Sequence, residues 1–320
     1  LTPMAEHLGW YPQLPPMVRD TLSQNGALMA VPTGIHRVNW LWLNRKVFER
    51  QGLKSPTDWA QFVAVADKFK EQGITPLAIG NEPWQIAVLF ETVALGEGGK
   101  TFYRKAFLEQ DSATLTGPDM VRVLTRFQQL RAYVPEKYAG LKWHQATNLL
   151  ESGGAAMQVM GDWVKGELSA GNYRPGEDIE CLPSPGSQGL FSYNLDSIAM
   201  FKQRDPAQLQ AQGELARLLM TPRFQEEFNR VKGSIPALIK PDMSKFDRCA
   251  IRSYQDFLHA EQQDNLLPSM AEGMAVPTNM RQGIMDVLSS FFNDARANPE
   301  QTAQQLERAM RSTRSGAEQK

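Results

Sequence analysis

The sequence has few cysteines, no long apolar runs and no excess of charge of one sign. Its two cysteines, Cys181 and Cys249, are too few for a disulfide-rich scaffold and lack the close spacing of a zinc site. The cysteines alone do not decide between one disulfide bond and two buried free thiols. No apolar run approaches the roughly 18 residues that cross a bilayer. The 34 Lys and Arg against 35 Asp and Glu give a net charge of -1. That balance disfavours a nucleic-acid partner and a polybasic membrane surface.

Familiar catalytic and cofactor motifs are also missing. The histidines number four: His7, His36, His144 and His259. They are scattered and form no metal-binding pair. Residues 96–101 (GEGGKT) resemble a phosphate loop, but Ala94 occupies the position that requires glycine. Neither a nucleophile elbow nor a dinucleotide fingerprint is present. The sequence therefore predicts no metal and no cofactor, and it lowers the expectation of an enzyme.

Helix signals alternate with short strand candidates along the chain. Ser55, Asp205 and Thr221 each precede a proline, a pattern typical of an N-cap followed by the first helical residue. The strand candidates cover 27–31, 155–160 and 197–201. This alternation predicts an α/β architecture, and 320 residues suffice for two domains. Proline- and glycine-rich segments punctuate the chain at three places, which suits either repeated crossings between two domains or ordinary surface turns.

Isolated tryptophans and charges are the most distinctive feature. Three tryptophans stand at or beside predicted turns or element ends: Trp84, Trp143 and Trp163. Three lone charges lie in apolar or small-residue settings: Asp196, Lys232 and Glu272. Each residue alone is explained as well by a core indole or a surface charge. Together they indicate a sugar site, because indole rings cover the C–H faces of a pyranose and charged groups bind its hydroxyls.

Several segments carry a resemblance to a known family. Residues 40–48 (WLWLNRKVF), followed by Gly52, Pro56 and Trp59, resemble a signature of the solute-binding proteins that serve ABC sugar importers. Residues 154–163 (GAAMQVMGDW) resemble a second motif of that family. The segments 232–236 (KGSIP) and 267–271 (LPSMA) are most similar to its glucose/mannose-binding subgroup. The resemblance extends along essentially the whole chain.

The resemblance implies a two-lobed α/β fold, the type II periplasmic-binding-protein fold. It places the first lobe over 1–36 with 185–237, and the second over 37–184 with 238–320. The hinge crossings are expected at 31–36, 183–187 and 234–238. The sequence matches the family only from well inside the first lobe, so we expect that lobe to lack its N-terminal strands.

The resemblance also assigns site residues. Trp143 and Trp163 match the sugar-stacking tryptophans of the subgroup, and Asp196 and Lys232 match its hydroxyl-binding pair. Two further candidates are expected near the same cleft: Asp162 and Trp84. Glu272 stands where the subgroup has histidine. Because an ionised carboxylate only accepts hydrogen bonds whereas imidazole can donate, the preferred sugar is left open.

The implied function is that of a periplasmic, monomeric sugar-binding protein. Sugar binding would favour the closed form of the two lobes, which the ABC permease in the inner membrane recognises. Export to an oxidising compartment also implies a disulfide between Cys181 and Cys249. Two alternatives remain open: a glycosidase-like enzyme that uses Asp196 and Glu272, and a protein that docks to a receptor in its closed form.

Overall fold

The computed structural model describes residues 1–135 and 137–317, with side chains described as far as residue 311. Residue 136 and residues 318–320, which the sequence prediction includes in the second lobe, lie outside this part. The α-helices are α1 (Thr2–His7), α2 (Pro16–Leu22), α3 (Arg45–Gln51), α4 (Trp59–Glu71), α5 (Pro83–Val93), α6 (Gly99–Tyr103), α7 (Ser112–Thr116), α8 (Pro118–Gln129), α9 (Trp143–Ser152), α10 (Val164–Ala170), α11 (Pro206–Leu219), α12 (Pro222–Lys232), α13 (Arg248–Gln262), α14 (Thr278–Asn293) and α15 (Pro299–Ala317). The strands are β1 (Ser23–Gln24), β2 (Ala27–Leu28), β3 (Ala30–Arg37), β4 (Trp40–Asn44), β5 (Thr75–Ala78), β6 (Ala155–Val159), β7 (Ile179–Pro183), β8 (Phe191–Ala199) and β9 (Leu266–Pro268).

Two mixed sheets organise the chain, apart from the small hairpin of β1 and β2. The first has the strand order β3-β8-β9, in which β3 and β8 are antiparallel and β8 and β9 parallel. The second has the order β5-β6-β4-β7, in which only β5 and β6 are parallel. Because β3 and β4 are consecutive along the chain but lie in different sheets, the backbone passes from one sheet to the other between them.

Each sheet lies mostly within its own hydrophobic cluster, although Leu267 of β9 belongs to the larger one. The smaller cluster takes its buried residues from 5–35 and 191–260, and the larger takes most of its residues from 38–181 and 267–310. Residues 235–260, which the sequence prediction divides between the two lobes, contribute to the smaller cluster throughout, apart from Cys249. We therefore propose that the third crossing lies at β9 rather than at 234–238.

Local capping agrees with two of the three predicted helix starts. The Asp205 carboxylate accepts a hydrogen bond from the Ala207 amide, and the Thr221 hydroxyl accepts one from the Phe224 amide. The predicted cap at Ser55 is wrong by three residues. Helix α4 begins at Trp59, because Asp58 Oδ1 accepts a hydrogen bond from the Gln61 amide at 2.8 Å and so satisfies the first turn.

The strand predicted at 197–201 is also shifted. Strand β8 begins at Phe191, so Asp196 lies inside the strand rather than at its entry. Two of the apolar residues that suggested the strand are solvent-exposed, with Ile198 39 % and Phe201 75 % accessible. Pairing with β3 and β9 extends β8 in the N-terminal direction, where Phe191 and Leu195 are buried.

A disulfide ties α13 to the larger hydrophobic cluster, to which both cysteines belong. Cys181 on β7 is bonded to Cys249 on α13. Strand β7 pairs with β4 in the lobe built on the larger cluster, called here the larger lobe, whereas the other apolar residues buried on α13 lie in the cluster of the smaller lobe. The cross-link therefore holds α13 against the sheet of the other lobe. Within the described part of the chain, no helix combines the length and apolarity that a membrane crossing requires.

Candidate functional site

A pocket of about 350 Å³ is lined by residues from both lobes. Its lining consists of His36, Trp84, Trp143, Trp163, Asn194, Asp196, Lys232 and Glu272. A larger surface hollow of about 830 Å³ lies near α8 and the end of α14, but none of its seven lining residues is aromatic or acidic. The smaller pocket is therefore the candidate site, because it combines indole rings with charged groups.

The pocket brings together six of the seven residues predicted for a sugar site. Asp162 is the exception, since it is buried beneath His36 and does not line the pocket. Two lining residues, His36 and Asn194, were not predicted. Asn194 was detectable as a polar residue two positions from Asp196 on the same strand, where alternate residues share a face.

Three tryptophans form the wall contributed by the larger lobe. Trp84 lies in the first turn of α5, Trp143 begins α9, and Trp163 immediately precedes α10. All three pack half-buried against the larger hydrophobic cluster, and the rings of Trp84 and Trp163 are 6.2 Å apart. A Cβ atom at Gly161 would lie 2.2 Å from Cζ3 of Trp163, so glycine lets the indole fold back over its own turn. The result is an apolar wall suited to the C–H face of a small ligand.

Asp196 and its partners form the opposite wall, contributed by the smaller lobe. Asp196 Oδ2 lies 3.2 Å from His36 Nε2 and 3.6 Å from Lys232 Nζ. Its other oxygen, Oδ1, accepts a hydrogen bond from Asn194 Nδ2 at 3.0 Å. The hydrogen bond from His36 is the largest cause of the lowered pKa of Asp196, and the charges of His36 and Lys232 lower it further, whereas burial acts in the opposite direction. Asp196 is therefore ionised at neutral pH.

Lys232 reaches the pocket from the end of α12. Gly233 caps this helix with φ +99°, a left-handed conformation that favours glycine. A Cβ atom at this position would also lie 2.4 Å from the Asp162 carbonyl oxygen. Glycine thus lets the end of α12 approach the turn that carries Trp163, and it brings the ammonium group of one lobe towards the aromatic wall of the other.

Glu272 lies on the pocket side of a turn that follows β9. Its backbone amide donates a hydrogen bond to Ser269 Oγ at 3.0 Å. Burial raises the pKa of the Glu272 carboxyl group, and the negative charge of Asp196 raises it further, while His36 and Arg281 lower it. The pocket therefore holds two carboxyl groups in different electrostatic settings, one stabilised as an anion and one destabilised.

A buried carboxyl group, Glu91 on α5, holds the two segments that lead to Asp196 and Glu272. Glu91 Oε1 accepts a hydrogen bond from Ser192 Oγ at 2.6 Å. Glu91 Oε2 accepts hydrogen bonds from Ser269 Oγ at 2.8 Å and from the Ala271 amide at 2.7 Å. Burial raises the pKa of Glu91 to about 7, although these three donors oppose the shift. Glu91 thus connects the larger lobe to β8 and to the turn after β9.

We expect Glu91→Gln to remove part of the pH dependence of stability. The pKa of Glu91 rises from 4.5 in the unfolded chain to about 7 in the folded chain. The contribution of Glu91 to the free energy of unfolding is therefore complete below pH 4.5 and is lost as the pH rises through 7. The loss amounts to ~3 kcal/mol.

Urea unfolding between pH 4.5 and 8 should show a smaller decline in the free energy of unfolding for Glu91→Gln than for the wild type. The exposed control Glu49→Gln should decline as the wild type does. Parallel curves for wild type and Glu91→Gln would contradict the assignment.

The site has no arrangement typical of a metal centre. In the part of the chain that the structure describes, no three His, Cys, Asp or Glu side chains are grouped so as to hold a metal ion. Asp162 and Asp196 are bridged by His36. The site is thus built for hydrogen bonding and stacking.

A two-lobed α/β fold with a polar and aromatic pocket between the lobes defines a ligand-binding receptor. Residues 4–195 match the family described as bacterial extracellular solute-binding protein. The chain is 38 % identical over 296 residues to a probable sugar-binding periplasmic protein of Brucella suis biovar 1 (strain 1330), covering 92 % of this chain and 69 % of that protein. It is 35 % identical over 310 residues to a protein of the same description from Mesorhizobium japonicum, covering 97 % and 74 %.

Solved structures share this fold. The bacterial solute receptor AcbH, described as exclusive for β-D-galactopyranose, superposes with a TM-score of 0.83 at 17 % identity, covering 98 % of this chain and 79 % of that one. The chain belongs to the bacterial extracellular solute-binding protein family. The predicted two-lobed α/β fold is confirmed. The protein is a solute-binding receptor and not an enzyme, which corrects the alternative of a glycosidase pair at Asp196 and Glu272.

Proposed function

We propose that the protein is the periplasmic sugar-binding component of an ABC importer and holds a monosaccharide, glucose or mannose, in this pocket. Its partners are the sugar and a permease in the inner membrane. It acts as a monomer without a cofactor. The observation that carries the proposal is the pairing of three indole rings on one wall with the Asp196 and Lys232 pair on the other.

The chemistry of this pairing suits a pyranose. Indole rings stack on the apolar C–H face of a sugar, and an ionised carboxylate accepts hydrogen bonds from its hydroxyl groups. Asp196 has about four lone-pair positions, of which two accept hydrogen bonds from His36 and Asn194, while Lys232 Nζ stands 3.6 Å away as an ion-pair partner, so ligand hydroxyls can use the remaining positions. The pocket volume of about 350 Å³ lies at the lower end of the roughly 300–1,000 Å³ typical of small-molecule sites, which favours a single sugar ring over an oligosaccharide.

The position of the pocket between the lobes explains how the sugar would be delivered to the permease. Because its two walls belong to different lobes, a sugar contacts both only when the lobes are closed, and binding therefore shifts the population towards the closed form. The permease recognises that form. The names of the relatives from Brucella and Mesorhizobium, both sugar-binding and periplasmic, support the ligand class and the compartment.

Titration calorimetry with D-glucose, D-mannose, D-galactose and maltose tests the proposal. We expect one-to-one binding of glucose or mannose, with maltose bound more weakly. Saturable heat from galactose alone would support a sugar site but refute the glucose/mannose preference. Binding of maltose alone would refute the monosaccharide assignment, and the absence of heat with all four sugars would refute the sugar assignment.

A further inference from the structure

His36 is a buried histidine at the junction of the two lobes. Of the four histidines, all of which lie within the described residues, only His36 is buried. It occupies the penultimate position of β3 with 2 % of its surface accessible. Its ring and the Trp163 ring meet in a T-shaped contact with their centroids 5.7 Å apart. The ring therefore touches the aromatic wall as well as the polar wall of the pocket.

Both ring nitrogens of His36 face carboxylates. Nδ1 lies 2.5 Å from Asp162 Oδ1, and Nε2 lies 3.2 Å from Asp196 Oδ2. A neutral imidazole donates from only one nitrogen, so the other would direct its lone pair at a carboxylate oxygen. Only the doubly protonated ring donates a hydrogen bond to each of the two carboxylates. Asp162 is itself fixed, because its second oxygen accepts a hydrogen bond from the Arg37 amide at 2.9 Å.

The charges around His36 also favour the imidazolium. Burial lowers its pKa, but the attraction and hydrogen bond of Asp162, together with those of Asp196, raise it to about 9. Lys232 on α12 faces Asp196, and Glu272 after β9 lies close enough to be stabilised as an anion by His36. The guanidinium of Arg37, the next residue on β3, is directed instead to Asp256 on α13. The two carboxylates in direct contact with the ring, Asp162 and Asp196, therefore outweigh the burial that opposes its positive charge.

We propose that His36 is a positioning residue of the sugar site, an imidazolium that bridges Asp162 of one lobe and Asp196 of the other and so fixes the orientation of the Asp196 carboxylate. The assignment deepens the proposed function and rests on it for the identity of the ligand. Asp162 then contributes to sugar binding through His36 and not by contact. Because Asp162 immediately precedes Trp163, the same bridge sets the acceptor and the stacking ring relative to each other.

The protonation state of His36 can be measured without any sugar. In protein labelled with ¹⁵N at histidine, both ring nitrogens of His36 should carry protons at pH 7.5 and should keep them until about pH 9. The exposed histidines serve as internal controls, and substitution of each by glutamine assigns their signals. A neutral ring at pH 7.5 would overturn the proposal. This result does not depend on which ligand the pocket takes, so it separates a failure of this inference from a failure of the proposed function.

A double-mutant cycle tests whether His36 acts through Asp196. His36→Gln leaves one carboxylate facing an amide oxygen, and we expect it to weaken binding of the preferred monosaccharide about tenfold or more. In the Asp196→Asn background the same change should alter affinity less than twofold, because the carboxylate that His36 orients is gone.

Equal losses of affinity in both backgrounds would show a merely structural role and refute the proposal. The exposed control His259→Gln should leave affinity unchanged. If His36→Gln does not fold, the ¹⁵N measurement on the wild type still decides the charged state.

Discussion

Asp196→Ala is expected to weaken binding of the preferred monosaccharide by on the order of 1.5–3 kcal/mol, which is about 10- to 150-fold. Asp196 is the ionised acceptor in the pocket, because hydrogen bonds from His36 and Asn194 and the nearby charge of Lys232 stabilise its carboxylate. Its removal takes away charged hydrogen bonds to the sugar. It also leaves the His36 imidazolium buried with one partner instead of two. Titration calorimetry measures the loss.

The control for this variant is Asp20→Ala on α2. Asp20 is 77 % exposed, and its closest partner, Arg19 Nε, lies 3.8 Å away in an exposed setting. A surface pair of this kind contributes little, so affinity should not change. Thermal unfolding of both variants shows whether the fold is intact. Unchanged affinity in a folded Asp196→Ala protein would refute the assignment of Asp196 to the site.

Removal of the disulfide is expected to have the largest effect on stability. Cys181 and Cys249 are 68 residues apart in the sequence. In the chain-entropy description of a cross-link, closing a loop of that length stabilises the folded state by about 4 kcal/mol. The double variant Cys181→Ala with Cys249→Ala should therefore lose about this much free energy of unfolding in urea.

Reduction provides the matched control for this prediction. Reductant should destabilise the wild type by a similar amount and should leave the double variant unaffected, because only the wild type has a disulfide to lose. Thiol titration of the unreduced, denatured wild type should detect no free thiol. Detection of two thiols would contradict the disulfide, and equal stability of wild type and double variant would contradict the entropic account.

Local sequence predicts those features of the fold that depend on neighbouring residues. The caps at Asp205 and Thr221 are recognisable because a side-chain oxygen and a following proline act within one helical turn. The same rule is wrong at Ser55, where Asp58 competes for the position and accepts a hydrogen bond from the amide that begins α4. Strand β8 was misplaced because its N-terminal half is defined by pairing with β9 and β3, and local hydrophobicity carries no information about that pairing.

The candidate site was predictable where residue type alone carries the chemistry. Tryptophans beside turns and lone charges in apolar segments indicated six of the eight lining residues. His36 was not predicted, because its partners Asp162 and Asp196 are 126 and 160 residues away in the sequence. One signal was present: histidine and arginine adjoin at the end of a strand that is buried along its whole length. Charged neighbours in such a strand require buried partners.

The central claim is that a monosaccharide binds in the pocket between the lobes. It is tested most directly by following the seven indole N–H resonances of the ¹⁵N-labelled chain during titration with the sugar preferred in calorimetry. Four tryptophans lie in the two hydrophobic clusters and serve as internal controls: Trp10, Trp40, Trp42 and Trp59. We predict large, saturable shifts for Trp84, Trp143 and Trp163 and small ones for the four controls. Saturable binding that leaves the three pocket resonances unchanged would contradict the account.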